Sequence, residues 1–180
     1  MKPWDMLIPD LMCDTVRDVP FETFFDKGAR AVVFDIDNTL VTYDDAEPTP
    51  DVLNWLTILK EADITVIFLS NNTDERVRTF AASLSNPWYA PASKPLTKTA
   101  KRALREYGFQ KNETAVLGDQ VFTDVWTGNF LGAAMTLLVP PIKDKTNLFF
   151  KSKRFLEKPF LASYKRREKR RLKKESETVS

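Results

Sequence analysis

The alternation of short apolar segments with helical segments between residues 31 and 139 restricts the possible folds of this chain more than any other feature. The clearest strand is Ile64 to Leu69, which is rich in β-branched residues and almost wholly apolar. Strands that alternate with helices of this length pair in parallel through right-handed crossovers. The pattern therefore predicts a Rossmann-like three-layer α/β/α domain with a mostly parallel sheet.

Capping residues set the boundaries of the predicted elements. Thr49 before Pro50 predicts an N-cap followed by proline at the first helical position. Asn72 with Glu75 resembles a capping box, and Gly108 predicts a C-terminal cap. The predicted strands are residues 31–34, 64–69, 88–90, 114–117 and 135–139, and the predicted helices are residues 50–62, 72–84, 97–107 and 122–130.

The composition excludes several kinds of catalytic site. The 180 residues include no histidine and one cysteine, Cys13, which is expected to be a small, partly buried side chain. A Ser-His-Asp triad, a Cys-His pair, a histidine metal site, an internal disulfide and a cysteine zinc site are therefore ruled out. Any chemistry must rely on carboxylates, hydroxyls, amines and a hard metal ion.

Charge is divided unevenly along the chain. Residues 1–140 hold 13 basic and 20 acidic side chains, whereas residues 141–180 hold 14 basic and 5 acidic ones. We divide the chain into an N-terminal extension packed on the core (1–28), the core (29–140) and a basic C-terminal tail (141–180). The tail either meets a polyanionic partner or is a solvated C-terminus.

No apolar stretch reaches the roughly 18 residues that a membrane-spanning helix needs. The N-terminus carries acids and prolines where a signal peptide would have an apolar segment. The expected location is the cytoplasm, with peripheral contact to a membrane through the tail.

Polar residues follow the predicted strands at the point where each strand ends. Asp35 follows the first strand, Ser70 the second, Lys94 the third extended segment and Asp119 the fourth. Parallel strands place their carboxyl ends at one edge of a sheet, where α/β proteins bind ligands. The sequence therefore predicts that these four residues form one site.

Four short motifs occur in a fixed order at these positions. Residues 35–40 read Asp-Ile-Asp-Asn-Thr-Leu, Ser70 ends Phe-Leu-Ser, Lys94 stands in Ser-Lys-Pro, and residues 118–124 read Gly-Asp-Gln-Val-Phe-Thr-Asp. This set resembles the haloacid dehalogenase (HAD) superfamily, with its DxDxT motif first and its GDxxxxD motif last. The resemblance from about Leu7 to Val139 is to the YqeG-type family of subfamily IIIA.

The resemblance implies a phosphatase that forms an aspartyl-phosphate intermediate. It assigns the nucleophile to Asp35 and the general acid–base to Asp37. Ser70, Asn71 and Lys94 would bind the phosphoryl group. A Mg²⁺ ion would be held by oxygen ligands, namely the side chain of Asp35, the main-chain carbonyl of Asp37, Asp119 and, directly or indirectly, Asp124.

The spacing of the motifs bears on the size of the substrate. In this superfamily a cap domain is inserted between the first and second motifs or between the second and third. Here 30 residues separate Thr39 from Ser70, and 23 separate Ser70 from Lys94. Neither interval has room for an independent domain. The sequence thus predicts an open site, which suits a lipid head group, a phosphoprotein or a nucleic-acid end.

The basic tail has two parts with different composition. Pro159 is expected to interrupt any continuous helix. Apolar residues at helical spacing between Asn147 and Leu161 either pack on the domain or insert at a membrane interface; they are Leu148, Phe149, Phe150, Phe155, Leu156, Phe160 and Leu161. Residues 165–174 form a polybasic run that anionic lipid or RNA would attract.

Three hypotheses about function follow. The YqeG-type family is related to phosphatidylglycerophosphate phosphatases, so the first is a Mg²⁺-dependent phosphatase acting on an anionic lipid phosphate, with the tail assisting membrane contact. The second is a phosphatase with an RNA- or ribosome-associated substrate. The third is a non-catalytic binding module on the same fold, which the undegraded motifs disfavour.

Overall fold

The computed structural model describes residues 3–143 and 148–178. The strands are β1 (Leu11–Met12), β2 (Ala31–Phe34), β3 (Thr65–Leu69), β4 (Trp88–Tyr89), β5 (Thr114–Gly118) and β6 (Met135–Leu138). They form one sheet in the order β1-β6-β5-β2-β3-β4, and every neighbouring pair runs parallel. The predicted parallel α/β fold is confirmed.

Among the described residues, six α-helices surround or extend from this sheet. They are α1 (Phe21–Asp26), α2 (Pro50–Glu61), α3 (Asp74–Ala81), α4 (Lys98–Glu106), α5 (Trp126–Leu131) and α6 (Leu148–Thr178). Short 3₁₀ helices occupy Pro3–Leu7, Val16–Asp18 and Lys111–Glu113, and one π-helical turn occupies Val121–Val125.

Helices cover both faces of the central strand β2, which is buried along its whole length. Phe34 lies on the face covered by α2, where its ring meets Trp55 edge-on with centroids 5.0 Å apart. Val33 points to the opposite face and packs with Ala103 and Leu104 of α4. Successive strand residues face opposite layers, so a strand covered on both faces must be apolar throughout.

The helix boundaries agree with the predicted caps except at α3. Thr49 Oγ1 accepts a hydrogen bond from Val52 N at 3.3 Å, as an N-cap should. The capping box predicted at Asn72 is wrong. Thr73 is the N-cap instead, accepting from Arg76 N at 3.3 Å. The side chain of Asn72 is turned away because its amide donates to a carboxylate in the loop after β2.

Two further elements differ from the sequence pattern. The N-terminal extension contributes β1, which pairs with β6 at the sheet edge. The helix predicted over residues 122–130 begins instead as the π-helical turn Val121–Val125 and becomes α-helical at Trp126. The wider turn accompanies the inward placement of Asp124, whose Oδ2 accepts from Gln120 N at 3.1 Å.

The C-terminal segment is a continuous helix, so the break predicted at Pro159 is wrong. A proline removes a single intrahelical hydrogen bond, and buried side chains on either side hold this helix: Glu157 is 1% exposed and Phe160 is 6% exposed. Phe155 and Leu156 remain exposed. Asn147 and the side chains of Leu148, Phe149 and Phe150 lie outside the described residues.

Residues 40–69 and 71–93, all of which the structure describes, hold only a loop, α2, β3, α3 and β4. Neither interval contains a cap domain, as the motif spacing predicts. Within residues 3–143 and 148–178, no helix combines the length and the apolar character that crossing a membrane requires.

Candidate active site

The loop after β2 carries Asp35 and Asp37 at the carboxyl edge of the sheet. Asp35 N donates to Leu117 O of β5 at 3.0 Å, which extends the ladder by one residue. Asn38 then adopts a φ of 68°, a left-handed conformation that asparagine tolerates better than most residues. The chain turns there, and Thr39 Oγ1 donates back to Asp35 Oδ2 at 3.2 Å.

Lys94 lies at the centre of the predicted site. Its Nζ donates to Asp35 Oδ1 and to Asp124 Oδ1, both at 2.6 Å, and the residue is 7% exposed. Asn71 fixes the main chain of this lysine, because its Nδ2 donates to Lys94 O at 2.9 Å and its Oδ1 accepts from Lys94 N at 2.6 Å. The ends of β2 and β3 and the segment after β4 are thereby joined.

Asp37 sits in a separate polar group beside this lysine. Asn72 Nδ2 donates to Asp37 Oδ2 at 2.9 Å, and Ser70 Oγ donates to the same oxygen at a long 3.5 Å. The Arg76 guanidinium lies 3.0 Å from Asp37 Oδ1, an ion-pair distance without hydrogen-bond alignment. Ser70 also accepts from Asn72 N at 3.0 Å.

Asp119 and Asp124 come from β5 and the turn that follows it. Asp119 is 1% exposed and directly follows the strand, while Asp124 is folded back over Gly118. A Cβ at Gly118 would stand 2.2 Å from Asp124 Cγ, so the motif needs glycine at this position to let the carboxylate enter. All seven predicted site residues therefore meet at one edge of the sheet.

Three of these acids form a compact oxygen cluster. One carboxylate oxygen each from Asp35, Asp119 and Asp124 can be chosen so that all lie within 4.8 Å of one another. Burial raises the pKa of Asp35 to about 7, with Lys94 opposing and the other two acids adding to the shift. Burial and Asp124 likewise raise the pKa of Asp119 to about 6. These crowded carboxylates present the hard oxygen ligands that a divalent cation binds.

The charge on Lys94 is maintained by its neighbours. Burial disfavours the ammonium, but the carboxylates of Asp124 and Asp35 outweigh it and raise the pKa of Lys94 above its usual value. The lysine is thus a fixed positive charge at the base of the site.

A cleft of about 560 Å³ opens onto these groups. Its lining includes Asp35, Asp37, Ser70, Lys94 and, from α6, Lys153. A second hollow of about 470 Å³ lies beside α2 and contains none of the predicted site residues.

Comparison with known proteins identifies the family. A model of haloacid dehalogenase-like hydrolases matches residues 42–132, a range that includes Ser70, Lys94 and both acids of the last motif. The probable phosphatase YqeG of Bacillus subtilis is 32% identical over 160 residues, which are 89% of this chain and 92% of that protein. The chain belongs to the haloacid dehalogenase-like hydrolases. Within them it is a YqeG-type phosphatase.

Solved structures share the haloacid dehalogenase-like fold. The cobalt-bound deoxy-D-mannose-octulosonate 8-phosphate phosphatase of Haemophilus influenzae aligns with a TM-score of 0.52 and 17% identity, covering 77% of this chain and 90% of that one. An uncharacterised protein of Listeria monocytogenes aligns with a TM-score of 0.54 and 17% identity, covering 65% of this chain and 84% of that one. At this identity the likeness concerns the fold.

The haloacid dehalogenase-like site has one further wall, which is the first part of α6. Arg154 Nη2 contacts Asp119 Oδ2 at 2.5 Å, and its Nη1 donates to Asp119 O at 2.6 Å. The same Nη1 donates to Glu157 Oε2 at 2.9 Å, while Glu157 Oε1 accepts from Val121 N at 3.0 Å. The basic C-terminal tail, residues 141–180, therefore contacts a motif aspartate directly.

Motif matching did not find the residues of this wall, nor Arg76. One signal was available in the sequence. Glu157 is the only acid between Lys151 and Arg167, and Phe160 follows it by three residues. Charged residues are almost never fully buried unless they are paired. A lone acid three residues before an aromatic residue in a basic helix is therefore a candidate for a buried ion pair on that face.

Proposed function

We propose that this phosphatase is a Mg²⁺-dependent phosphomonoester hydrolase that works through an aspartyl-phosphate on Asp35 and acts on an anionic lipid phosphate such as phosphatidylglycerophosphate. The observation that carries the proposal is the contact of Lys94 with both Asp35 and Asp124 at the base of an open cleft. This arrangement holds a carboxylate nucleophile next to a fixed cation.

In the first step a carboxylate oxygen of Asp35 attacks phosphorus, and the bond from phosphorus to the alcohol oxygen breaks. Asp37 donates a proton to the departing alkoxide. In the second step Asp37 takes a proton from water, the water oxygen bonds to phosphorus, and the Asp35–phosphate bond breaks. Free phosphate and the original carboxylate result.

The remaining predicted residues place and neutralise the phosphoryl group. Ser70 Oγ donates to one phosphoryl oxygen, and Lys94 supplies positive charge beside the nucleophile. The role that we propose for Asn71 is to hold Lys94, because both polar atoms of its amide bind the main chain of that lysine.

The oxygen cluster fits a magnesium ion, whose ligands would be the side chains of Asp35, Asp119 and Asp124 and the main-chain carbonyl of Asp37. When bound, the ion neutralises the charge that phosphate brings to a group of acids and polarises the phosphoryl oxygens. The fit rests on three buried carboxylates, two of which have raised pKa values in the protein alone.

Substitution of the nucleophile tests the reaction. Asp35→Asn should lower phosphate release from a generic phosphomonoester at least about 1,000-fold, since the amide cannot attack phosphorus. Asp26→Asn, on the exposed end of α1, is the matched control and should be as active as wild type. EDTA should abolish activity and Mg²⁺ should restore it. Normal turnover by Asp35→Asn, or indifference to chelation, would refute the mechanism.

A lipid substrate is supported by the absence of a cap in either described interval and by the exposed basic surface of α6 beyond residue 164. The proposed location is the cytoplasmic side of a membrane, with peripheral contact. Assays with phosphatidylglycerophosphate, phosphopeptides, nucleotides and RNA 5′ ends should give the highest kcat/KM for the lipid. A clear preference for RNA ends would favour the ribosome- or RNA-associated alternative, which the same basic surface supports.

The membrane contact is tested by removing charge from α6 without removing α6. A truncation at residue 145 would also delete Arg154, Glu157 and Phe160, which contact the site and the core. The informative variant changes four exposed basic residues to Gln: Lys165, Arg166, Lys169 and Arg170. The matched control changes four exposed basic residues of α4: Lys98, Lys101, Arg102 and Arg105.

The α6 variant should sediment less with phosphatidylglycerol vesicles than wild type does, because each basic residue near an anionic surface contributes about 1 kcal/mol. The α4 variant should sediment like wild type. Equal loss in both variants would show that net charge alone drives sedimentation and would exclude α6 as the contact surface.

A further inference from the structure

Lys153 is a cation in the cleft that the proposed reaction does not use. It stands on α6, lines the cleft together with Asp35, Ser70 and Lys94, and is half-buried. Its Nζ donates to Gln120 Oε1, a neutral acceptor on the turn after β5. The lysine therefore reaches the mouth of the site from outside the haloacid dehalogenase-like motifs.

The position of Lys153 is set by its neighbours on the same helix. Arg154 is bound to Asp119, and Glu157 accepts from Val121 N. One turn further on, the Phe160 ring packs 4.3 Å from Trp4 and 5.7 Å from Phe122, measured between centroids. These anchors hold the helix against the site, so Lys153 is presented to the cleft by a fixed backbone.

Lys153 also differs in charge balance from the other cations at the site. Lys94 is shared by two carboxylates, Arg76 lies against Asp37, and Arg154 lies between two acids. Across residues 3–143 and 148–178, no acid lies within ion-pair distance of Lys153 Nζ. Burial lowers the pKa of its ammonium and outweighs the opposing carboxylates of Asp124, Glu157 and Asp119, none of which pairs with it directly.

We propose that Lys153 binds a second anionic group of the substrate, a phosphodiester next to the phosphomonoester that is cleaved, and so selects glycerophosphate-type lipid head groups. This inference rests on the proposed phosphatase function. A phosphodiester keeps one negative charge at all physiological pH values, and an ammonium donating to it makes a charge-assisted hydrogen bond. The scissile phosphate occupies the base of the cleft near Lys94, and the diester lies at its mouth.

A lipid head group is favoured over a nucleic-acid end by the surroundings of Lys153. The same helix exposes Phe155 and Leu156, with 67% and 58% of their surface accessible. An aromatic and an aliphatic side chain beside a basic residue suit the boundary between head groups and acyl chains. Proteins that bind single-stranded nucleic acid instead stack successive bases on several aromatic side chains in a basic groove. The described lining of this cleft offers one aromatic side chain, that of Tyr43.

The test compares two soluble phosphomonoesters that differ in the second anion. One is the deacylated head group of phosphatidylglycerophosphate, which contains a phosphodiester, and the other is glycerol 3-phosphate, which does not. The variants are Lys153→Met, Lys153→Arg as the charge-keeping substitution, and Lys158→Met as the matched control on an exposed position of the same helix. The measured quantity is the ratio of the two kcat/KM values in Mg²⁺, with circular dichroism confirming the fold.

Wild type should prefer the diester-bearing substrate, and Lys153→Met should reduce the ratio about 10-fold, mostly through KM, as expected for a lost charge-assisted hydrogen bond. Lys153→Arg should recover most of the ratio, and Lys158→Met should keep it. An unchanged ratio in Lys153→Met, with both substrates cleaved, overturns the role of Lys153 and leaves the proposed function intact.

Two other results would contradict the proposed function or the lipid assignment. If wild type cleaves neither substrate, the proposed function fails and this inference fails with it. A 5′-phosphorylated dinucleotide also has a phosphodiester beside its phosphomonoester. If the enzyme cleaves it faster than the lipid head group, and if this cleavage requires Lys153, then Lys153 binds a phosphodiester but the lipid assignment is wrong.

Discussion

The two halves of α6 are both basic but have opposite environments. The first half, residues 151–164, holds four basic and one acidic side chain, and the second half, residues 165–174, holds eight basic and one acidic. In residues 151–164, Glu157 and Phe160 are buried and Arg154 contacts Asp119. In residues 165–174, the basic side chains are exposed, and surface ion pairs include those of Arg167 with Asp5, Arg171 with Glu168 and Lys173 with Glu177. The first half is part of the active-site cleft, and the second half is a surface.

The difference shows that a run of positive charge does not by itself indicate a solvated tail. Each half contains one acid, but only Glu157 is followed three residues later by an aromatic residue, Phe160. This spacing places a polar and an apolar anchor on the same face of the helix. The charge of such a helix determines which partners it attracts, whereas buried side chains such as Glu157 and Phe160 determine whether it packs on the core.

The largest expected contrast between the halves concerns Phe160 and Leu172. Phe160→Ala should lower the free energy of unfolding by about 3 kcal/mol, because it leaves a cavity between Trp4 and Phe122. Leu172→Ala, at a site that is 55% exposed, should change it by less than about 0.5 kcal/mol. Urea denaturation measures both. Similar values for the two variants would mean that the first half is not anchored.

The next contrast concerns the two glutamates. Glu157→Ala should lower the free energy of unfolding by about 2 kcal/mol, because it leaves the buried Val121 N–H without an acceptor and removes the counter-charge of Arg154. Glu177→Ala removes only a surface pair with Lys173 and should cost less than about 0.5 kcal/mol. A cost for Glu157→Ala no greater than that for Glu177→Ala would contradict the buried contact.

The smallest expected effect is a pH dependence of stability and of Mg²⁺ binding that arises from the acids of the site. The pKa values of Asp35 and Asp119 are raised to about 7 and about 6, so the folded protein keeps protons that the unfolded chain loses above pH 3.8. In EDTA these groups therefore make the protein less stable as pH rises from about 4 to 7. Mg²⁺ competes with those protons and should bind more tightly at the upper end of this range.

The Mg²⁺-induced rise in Tm should accordingly be about 2–5 °C larger at pH 7.5 than at pH 5.5. The four-residue Gln variant of the second half of α6 should give the same difference, because that region contains none of the acids concerned. An equal Mg²⁺ effect at both pH values would show that protons and the cation do not share these carboxylates.

The sequence was sufficient for features that depend on short segments. β2, β3, β5 and β6 were predicted within about one residue at each end, because fully buried parallel strands are continuous apolar runs. The convergence of Asp35, Ser70, Lys94 and Asp119 followed from the rule that parallel strands end at one edge. The family resemblance then supplied roles for them, which remain proposals.

The features that were missed depend on contacts between distant residues. Strand β1 has two residues, too few to produce an alternation, and it exists because β6 provides an edge for Leu11 and Met12. Arg154 is 35 residues from the aspartate that it binds. Pro159 is a helix breaker by local rules, but the anchors on either side of it outweigh the lost hydrogen bond.

The anchoring of α6 also has a consequence for how the enzyme is made. Ribosomes translate this helix after the six described strands and every motif residue. A nascent chain halted before residue 150 already carries its acids and Lys94 but not Arg154 or Lys153 to face them. Premature termination before α6 would therefore yield a core with an incomplete binding surface.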